Sequence, residues 1–377
     1  MELLYTNTPS YSVNPLVQTG GVSVEDVFQI LYLTFGILGL FGNGLVLLVM
    51  VRVRSLRTIT NFFITNQSII DFVTSIFVLI FKYNPTVIDF SNQGYNFWTI
   101  FVCKFWHSKY IFWAMMGAST NNLIVITIER WMAVVFPIVY RNRVTRKTAS
   151  ICAVLPWILG FMFHLHKPAS RHFEDGVCFS SFGNRAIQAV VGIFLFVVKL
   201  LLPVFIMVIV YTSILKKLKP ILTNQKVKNL SRSTTMLNTD TNLSLVSKLA
   251  IDSNVQTSND TVVDLGKFSS ANTVTNFTSH SKTSQQSKIR MNILKTLFLV
   301  TILFVICWTP ISIVFLIYNL GGKINPTSTI YNLFVLLAYV NIWINPVVYT
   351  FKYRKFQEGL RKTFGFTGKI KAKVSAS

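Results

Sequence analysis

Seven stretches of the chain are apolar for long enough to cross a lipid bilayer as helices. Residues 27–51 carry no charge at all, and about 20 helical residues, rising 1.5 Å each, span a hydrocarbon core of roughly 30 Å. Comparable runs follow at 62–81, 111–128, 149–163, 187–211, 293–318 and 329–351. The charges inside them are few: Asp71 in the second run, Lys199 in the fifth and Lys295 at one end of the sixth. The fourth run is the shortest and ends among His164, His166 and Lys167. Hydrocarbon offers backbone groups no hydrogen bonds, so each run is expected to be helical. The pattern predicts an all-α membrane protein, a seven-transmembrane helix bundle whose two termini lie on opposite sides of the membrane.

Between the runs the pattern changes. Residues 1–24 are polar and contain no Lys or Arg, and they offer no signal-peptide core. Residues 220–287 are rich in Ser, Thr and Asn, with Phe268 and Phe277 as their only aromatics. Too little apolar surface is present there to offset the entropy of folding, so a disordered cytoplasmic loop is expected. After the last run, Phe351, Phe356, Leu360 and Phe364 recur among basic residues. This predicts a short amphipathic eighth helix over 352–366 lying on the membrane surface, followed by a tail to residue 377. The domain reading is therefore 1–24 outside, 25–219 for helices one to five, 220–287 as the loop, 288–351 for helices six and seven, and 352–377 for the eighth helix and tail.

Composition sharpens this picture. Half of the residues (51%) are hydrophobic and only 13% charged, where a soluble domain carries about 25% charged residues. The 36 basic and 13 acidic residues leave a net charge of +23, which alone suits either nucleic acid or a membrane surface. Position decides. Arg52, Arg54, Arg57, Arg141, Arg143, Arg146, Lys147, Lys216, Lys217 and Lys219 follow runs one, three and five, and Lys352, Arg354, Lys355, Arg361 and Lys362 follow run seven. These collars all fall on one side, so the positive-inside rule puts the N-terminus outside and the C-terminus in the cytosol. Nucleic acid is excluded as a partner, and membrane lipid is expected.

Polar residues inside the runs are costly and therefore informative. They are Gly42-Asn43-Gly44 in run one, Asp71 in run two, Ser119, Asn121, Asn122 and a closing Glu129-Arg130-Trp131 in run three, Cys307-Trp308-Thr309-Pro310 in run six, and Asn341 with Asn345-Pro346-Val347-Val348-Tyr349 in run seven. Pro203 and Pro310 each remove a helical hydrogen bond. Any one of these is commonly structural; the ordered set is specific. With Cys103 and Trp106 opening the third helix, Trp157 in the fourth and Tyr211 in the fifth, the chain resembles the rhodopsin-like (class A) G-protein-coupled receptors over about residues 27–366, the long loop excepted.

The resemblance has departures. Glu129-Arg130-Trp131 stands where the family most often has Asp-Arg-Tyr, and Gln67-Ser68 precedes Asp71 where small or apolar residues are usual. Cys103 and Arg130 are 27 residues apart (130 − 103), longer than the family's spacing. The extra residues are expected between Trp106 and Ser119, as a bulge or an extended outer turn. Arg290 stands at the foot of helix six, where some members carry an acidic partner for the helix-three arginine; two arginines repel, so that lock is not expected.

Several roles are implied by the resemblance. It pairs Cys103 with Cys178, both on the oxidising outer side. It assigns Glu129, Arg130, Tyr211, Trp308, Pro310, Asn345, Pro346 and Tyr349 to activation and coupling to a heterotrimeric G protein, with Trp308 above the Pro310 bend as the hinge by which helix six swings outward. It implies receptor kinases and arrestin as further partners, and a plasma-membrane location. It places an allosteric sodium ion at Asp71, Ser119, Asn341 and Asn345, with no other cofactor; the other reading of these residues is a protonated Asp71 hydrogen-bonded to Asn345. It lines a ligand pocket with Phe112, Met116, Lys199, Trp308 and Tyr339. No acidic residue lies at the depth of Lys199 in helices three, six or seven, so the expected extracellular ligand brings the anion, as a peptide or a small acidic molecule; alternatively Lys199 snorkels outward. Lys82 and Lys109 would reinforce a cationic pocket if they point inward.

Other classes fit less well. No lysine lies in 329–351 for a retinal Schiff base, and Tyr339 stands near that position. Residues 104–119 lack the acidic group of amine receptors. No catalytic constellation accompanies Asp71, so an enzyme is not expected. A seven-helix transporter or channel is the alternative, without the inverted repeats such folds often show.

Overall fold

The computed structural model describes residues 23–83, 95–218, Pro220 and 298–365. The loop expected over 220–287 (Pro220 apart), Arg290 and the tail beyond residue 365 lie outside the described residues. Seven helices are long and apolar enough to cross a membrane: Val24–Arg52, Ile59–Lys82, Phe97–Val135, Arg146–Ala169, Arg185–Leu218, Phe298–Asn319 and Thr329–Lys352. They are called the first to seventh spans. By contact the chain divides into two compact units, Met1–Tyr211 with Asn292–Ser377, and Thr212–Met291. Of the second unit, only the last residues of the fifth span and Pro220 are described.

Local chemistry sets the span ends. Ser23 and Asp26 form a reciprocal capping box at the start of the first span, which satisfies helix donors that would otherwise be orphaned. Thr145 and Ser328 cap the fourth and seventh spans through Thr148 N and Tyr331 N. The first span packs on the second and seventh, the second on the third, and the third on the fourth. Gly160 permits that last approach, since a Cβ there would sit 2.5 Å from Ala114 O and 2.7 Å from Ala118 N.

The bundle buries polar side chains among an apolar core and exposes large apolar ones. Asn43, Gln67, Asp71, Ser119, Asn122 and Asn345 are all buried, whereas Phe41, Ile151, Val190 and Phe205 are exposed on the spans. An apolar exterior with the polar groups kept inside is what a lipid solvent selects.

The third span begins earlier than its apolar run. It opens at Phe97, runs as a π-helical turn over Val102–His107, breaks at Lys109 in a left-handed conformation (φ 50°), and resumes at Tyr110. The wide turn and the left-handed residue each let extra chain in. They account for the long Cys103–Arg130 spacing, and the insertion starts before Trp106 rather than after it. A hairpin that the apolar pattern missed pairs Arg171–Glu174 (β1) with Val177–Ser180 (β2). Its Asp175-Gly176 turn has both φ values positive (47° and 77°), the geometry that Asp-Gly favours between strands. The eighth helix is Arg354–Thr363. The apolar stripe expected there splits: Phe356 in the helix is buried, while Phe351 before it and Phe364 after it are exposed.

Candidate functional site

Four layers of the first unit gather the chemistry-bearing residues. At one end, Cys103 and Cys178 are joined in a disulfide. Cys178 lies opposite Phe173 in the hairpin register, so the bond ties β2 to the π-helical turn of the third span. Arg171 of β1 donates to His107 O at 3.4 Å. Cys152 and Cys307 stay free.

Beneath this cap is an aromatic cluster. Phe112, Met116 and Tyr339 are buried together with Phe28, Tyr32, Val78 and Ile342, and Trp308 packs against them. The Tyr339 ring lies 5.0 Å from Tyr32 and 5.5 Å from Phe112, and the Tyr32 hydroxyl donates to Asn332 O at 3.2 Å. Four of the five expected pocket residues thus meet. Phe28 and Tyr32 of the first span join them, a contribution no motif announced. Lys199 has other company. It is half-buried in the π-helical turn Val197–Leu201, before Pro203, and within electrostatic reach of His164, His166 and Lys167 on the fourth span. Lys82 and Lys109 do not line this layer as bare charges: Lys82 Nζ sits 3.9 Å from the centroid of Tyr32 and Lys109 Nζ 5.9 Å from that of Phe81, in cation–π range.

The middle layer centres on Asp71. Its Oδ1 accepts from Ser119 Oγ at 2.8 Å and its Oδ2 from Asn345 Nδ2 at 3.1 Å. Gln67 Nε2 donates to both carboxylate oxygens, at 3.1 and 3.0 Å. Asn341 is buried beside them, but its Nδ2 has no hydrogen-bond partner among the described residues. Asn43 ties the first span to the seventh by donating to Gly39 O and Ile342 O, both at 2.9 Å. Pro346 lies 3.1 Å from where a Cβ on Gly42 would sit, so the glycine of the first motif makes room for the proline of the last. The Trp308 ring lies 6.3 Å from that of Phe304, tilted by 40°, and its Nε1 lacks a partner among the described residues.

At the opposite end, Arg130 is clamped by its neighbour. Its Nε donates to Glu129 Oε2 at 2.6 Å and its Nη2 to Oε1 at 2.8 Å. Glu129 Oε1 also accepts from Thr60 Oγ1 of the second span at 3.0 Å and from the Tyr140 hydroxyl at 2.5 Å. Tyr140 lies on the short helix Pro137–Arg143. Burial, and then the charge on Glu129, push its phenol up from the ordinary value, so it stays a donor. Sequence reasoning found Glu129 and Arg130 but not Thr60 or Tyr140, because a bare Thr or Tyr near a span end has no motif. Tyr211 accepts from Thr301 Oγ1 at 3.2 Å, linking the fifth span to the sixth. Tyr349 is buried, with its hydroxyl unpartnered among the described residues. Tyr353, just beyond the seventh span, donates to Asn61 Oδ1 at 2.7 Å.

No cluster of three or more His, Cys, Asp or Glu capable of holding a metal ion occurs among the described residues.

The model of a family described as "7 transmembrane receptor (rhodopsin family)" matches residues 42–349. Relatives include an alpha-1A adrenergic receptor of Oryzias latipes, 26% identical over 88% of this chain, which spans just under two thirds (65%) of that protein. A galanin receptor 2b of Danio rerio is 27% identical over 94% of this chain and 77% of its own length. A trace amine-associated receptor 6 of Pan troglodytes is 25% identical over 100% of this chain and 95% of its own. These are receptors, not enzymes, and their names point to no single ligand class.

Proposed function

The chain belongs to the rhodopsin family of seven-transmembrane receptors, and from that premise we propose that it binds an extracellular ligand beneath the disulfide cap and activates a heterotrimeric G protein at the Arg130 end. The observation that carries this reading is the clamp on Arg130. A guanidinium held by two hydrogen bonds to Glu129 is withheld from any partner, and the clamp's other supports come from the second span and the Pro137–Arg143 helix. A shift between elements can therefore release it. The sixth span supplies the moving part: Pro310 leaves a backbone carbonyl unpaired, one turn or less from Trp308 in the aromatic layer. Ligand binding that repacks Trp308 biases the equilibrium from one face, and a partner that takes Arg130 biases it from the other. The positive-inside pattern supports an extracellular N-terminus and a plasma-membrane orientation to match.

The ligand is read as anionic, a peptide or a small acidic molecule. Lys199 lies within electrostatic reach of His164, His166 and Lys167, which makes this side of the bundle cationic, and it sits in a π-helical turn, a feature frequent at functional sites. The test is nucleotide exchange on reconstituted G protein, screened with acidic peptides and organic acids. Arg130→Ala should abolish ligand-stimulated exchange while surface binding persists; full exchange by that variant would end the coupling proposal, and ligand flux across the membrane would favour a transporter. Lys199→Met should weaken an acidic agonist. Potency unchanged within about threefold, less than ~1 kcal/mol, would remove Lys199 as its anchor.

A further inference from the structure

Gln67 is fully buried, and nothing in the Arg130 clamp or the aromatic layer uses it. Its side-chain nitrogen lies 3.1 and 3.0 Å from the two carboxylate oxygens of Asp71 and 2.5 Å from Ser119 Oγ. A cation bridging Asp71 and Ser119 would have to occupy the same point, in the mouth of the carboxylate. Such an ion needs oxygen donors turned toward it; here the group facing those oxygens is an N–H donor.

The orientation of that amide is set by a chain of hydrogen bonds. The Trp157 indole can only donate, and it donates to Asn66 Oδ1 at 3.1 Å. Asn66 therefore turns its Nδ2 to Asn122 Oδ1, at 2.8 Å. Asn122 then turns its own Nδ2 to Gln67 Oε1, at 2.9 Å. Gln67 is left with its nitrogen toward Asp71. Reversing the amide would set Oε1 against the carboxylate and its NH2 against Asn122 Nδ2, two repulsive contacts in a low-dielectric interior. The relay runs from the fourth span through the second and third to a carboxylate that accepts at both oxygens.

We propose that the Gln67 amide takes the place of a sodium ion at Asp71, so that the polar centre of this receptor is self-satisfied and closed to the cation that the donor set Asp71, Ser119, Asn341 and Asn345 would otherwise suit. Asp71 is held by neutral donors from three spans, and the amide relay from Trp157 keeps the occupant in position. The inference does not depend on coupling to a G protein.

The experiment compares thermal unfolding of the purified full-length receptor in NaCl, KCl and choline chloride at equal ionic strength, together with sodium-23 line broadening. The wild-type midpoint should be the same in all three salts, and the sodium signal should not broaden specifically. Gln67→Ala opens the mouth of the carboxylate and should gain a sodium-specific rise of at least about 2 °C, since binding to the folded state alone stabilises it, with line broadening that Asp71→Asn abolishes. Should Gln67→Ala fail to fold, Asn122→Ala frees the amide from its tether and should gain the same sodium response in smaller measure. Sodium-specific stabilisation of the wild type that Asp71→Asn removes would overturn the proposal. So would a folded Gln67→Ala receptor no more responsive to sodium than the wild type.

Discussion

Replacing Glu129 by Gln tests the Arg130 clamp at nearly constant shape. Glu129 accepts four hydrogen bonds, two from Arg130 and one each from Thr60 and Tyr140. A glutamine keeps one acceptor oxygen and turns an NH2 toward the guanidinium or the phenol, so at least one charge-assisted bond is lost and another is reduced to an ordinary one. Hydrogen bonds to charged groups contribute about 1.5–3 kcal/mol each. The side chains are 13% and 5% exposed, so solvent recovers only part of the loss, and about 2 kcal/mol of resting-state preference should disappear. That is roughly a 30-fold shift of the two-state equilibrium toward the released arginine. The assay is ligand-free nucleotide exchange at matched surface expression. Tyr140→Phe, which removes a single bond and leaves the charge, should raise basal exchange less, by about tenfold for a loss of ~1.4 kcal/mol. Basal exchange in Glu129→Gln equal to wild type would refute the clamp as the restraint, as would a Tyr140→Phe effect exceeding it.

Three further outcomes are expected. Cys103→Ser and Cys178→Ser should each lower surface expression, because the bond closes 75 residues of chain and contributes about 4 kcal/mol by loop entropy; the double variant should be no worse than either, and additive losses measured by flow cytometry would count against one shared bond. Gly160→Ala should lower the unfolding midpoint even though alanine is the better helix former by about 1 kcal/mol, because its Cβ would meet backbone atoms of the third span at 2.5 and 2.7 Å that cannot rotate away; a higher midpoint would show that the two spans separate at little cost. An epitope at Ser258 should bind antibody only after permeabilisation, and staining of intact cells would invert the proposed topology.

Much of the architecture was legible in the chain. Hydrocarbon imposes a length and an apolarity on every span, and those are properties of one contiguous segment, readable without knowing its neighbours. Turn chemistry is local in the same way: Asp175-Gly176 could have announced the hairpin. The third span begins ahead of its apolar run because Lys104, His107 and Lys109 interrupt that run, at an end that packs against the hairpin.

What only the tertiary structure decided is which buried polar groups satisfy one another. Asp71, Ser119 and Asn345 were singled out as costly, and their meeting follows from three spans converging. Gln67 stood out as unusual for its position, yet its role depends on Asn122, 55 residues on, and through Asn66 on Trp157, which lies 91 residues after Asn66. Thr60 and Tyr140 carry no signal until the second span and a seven-residue helix bring them to Glu129. Lys199 was expected among Trp308, Met116 and Tyr339, whereas its electrostatic neighbours lie on the fourth span. Burial in lipid is a demand made on each segment alone. A hydrogen bond between side chains is a demand on two positions at once, and the sequence separation between them is arbitrary until the fold sets it.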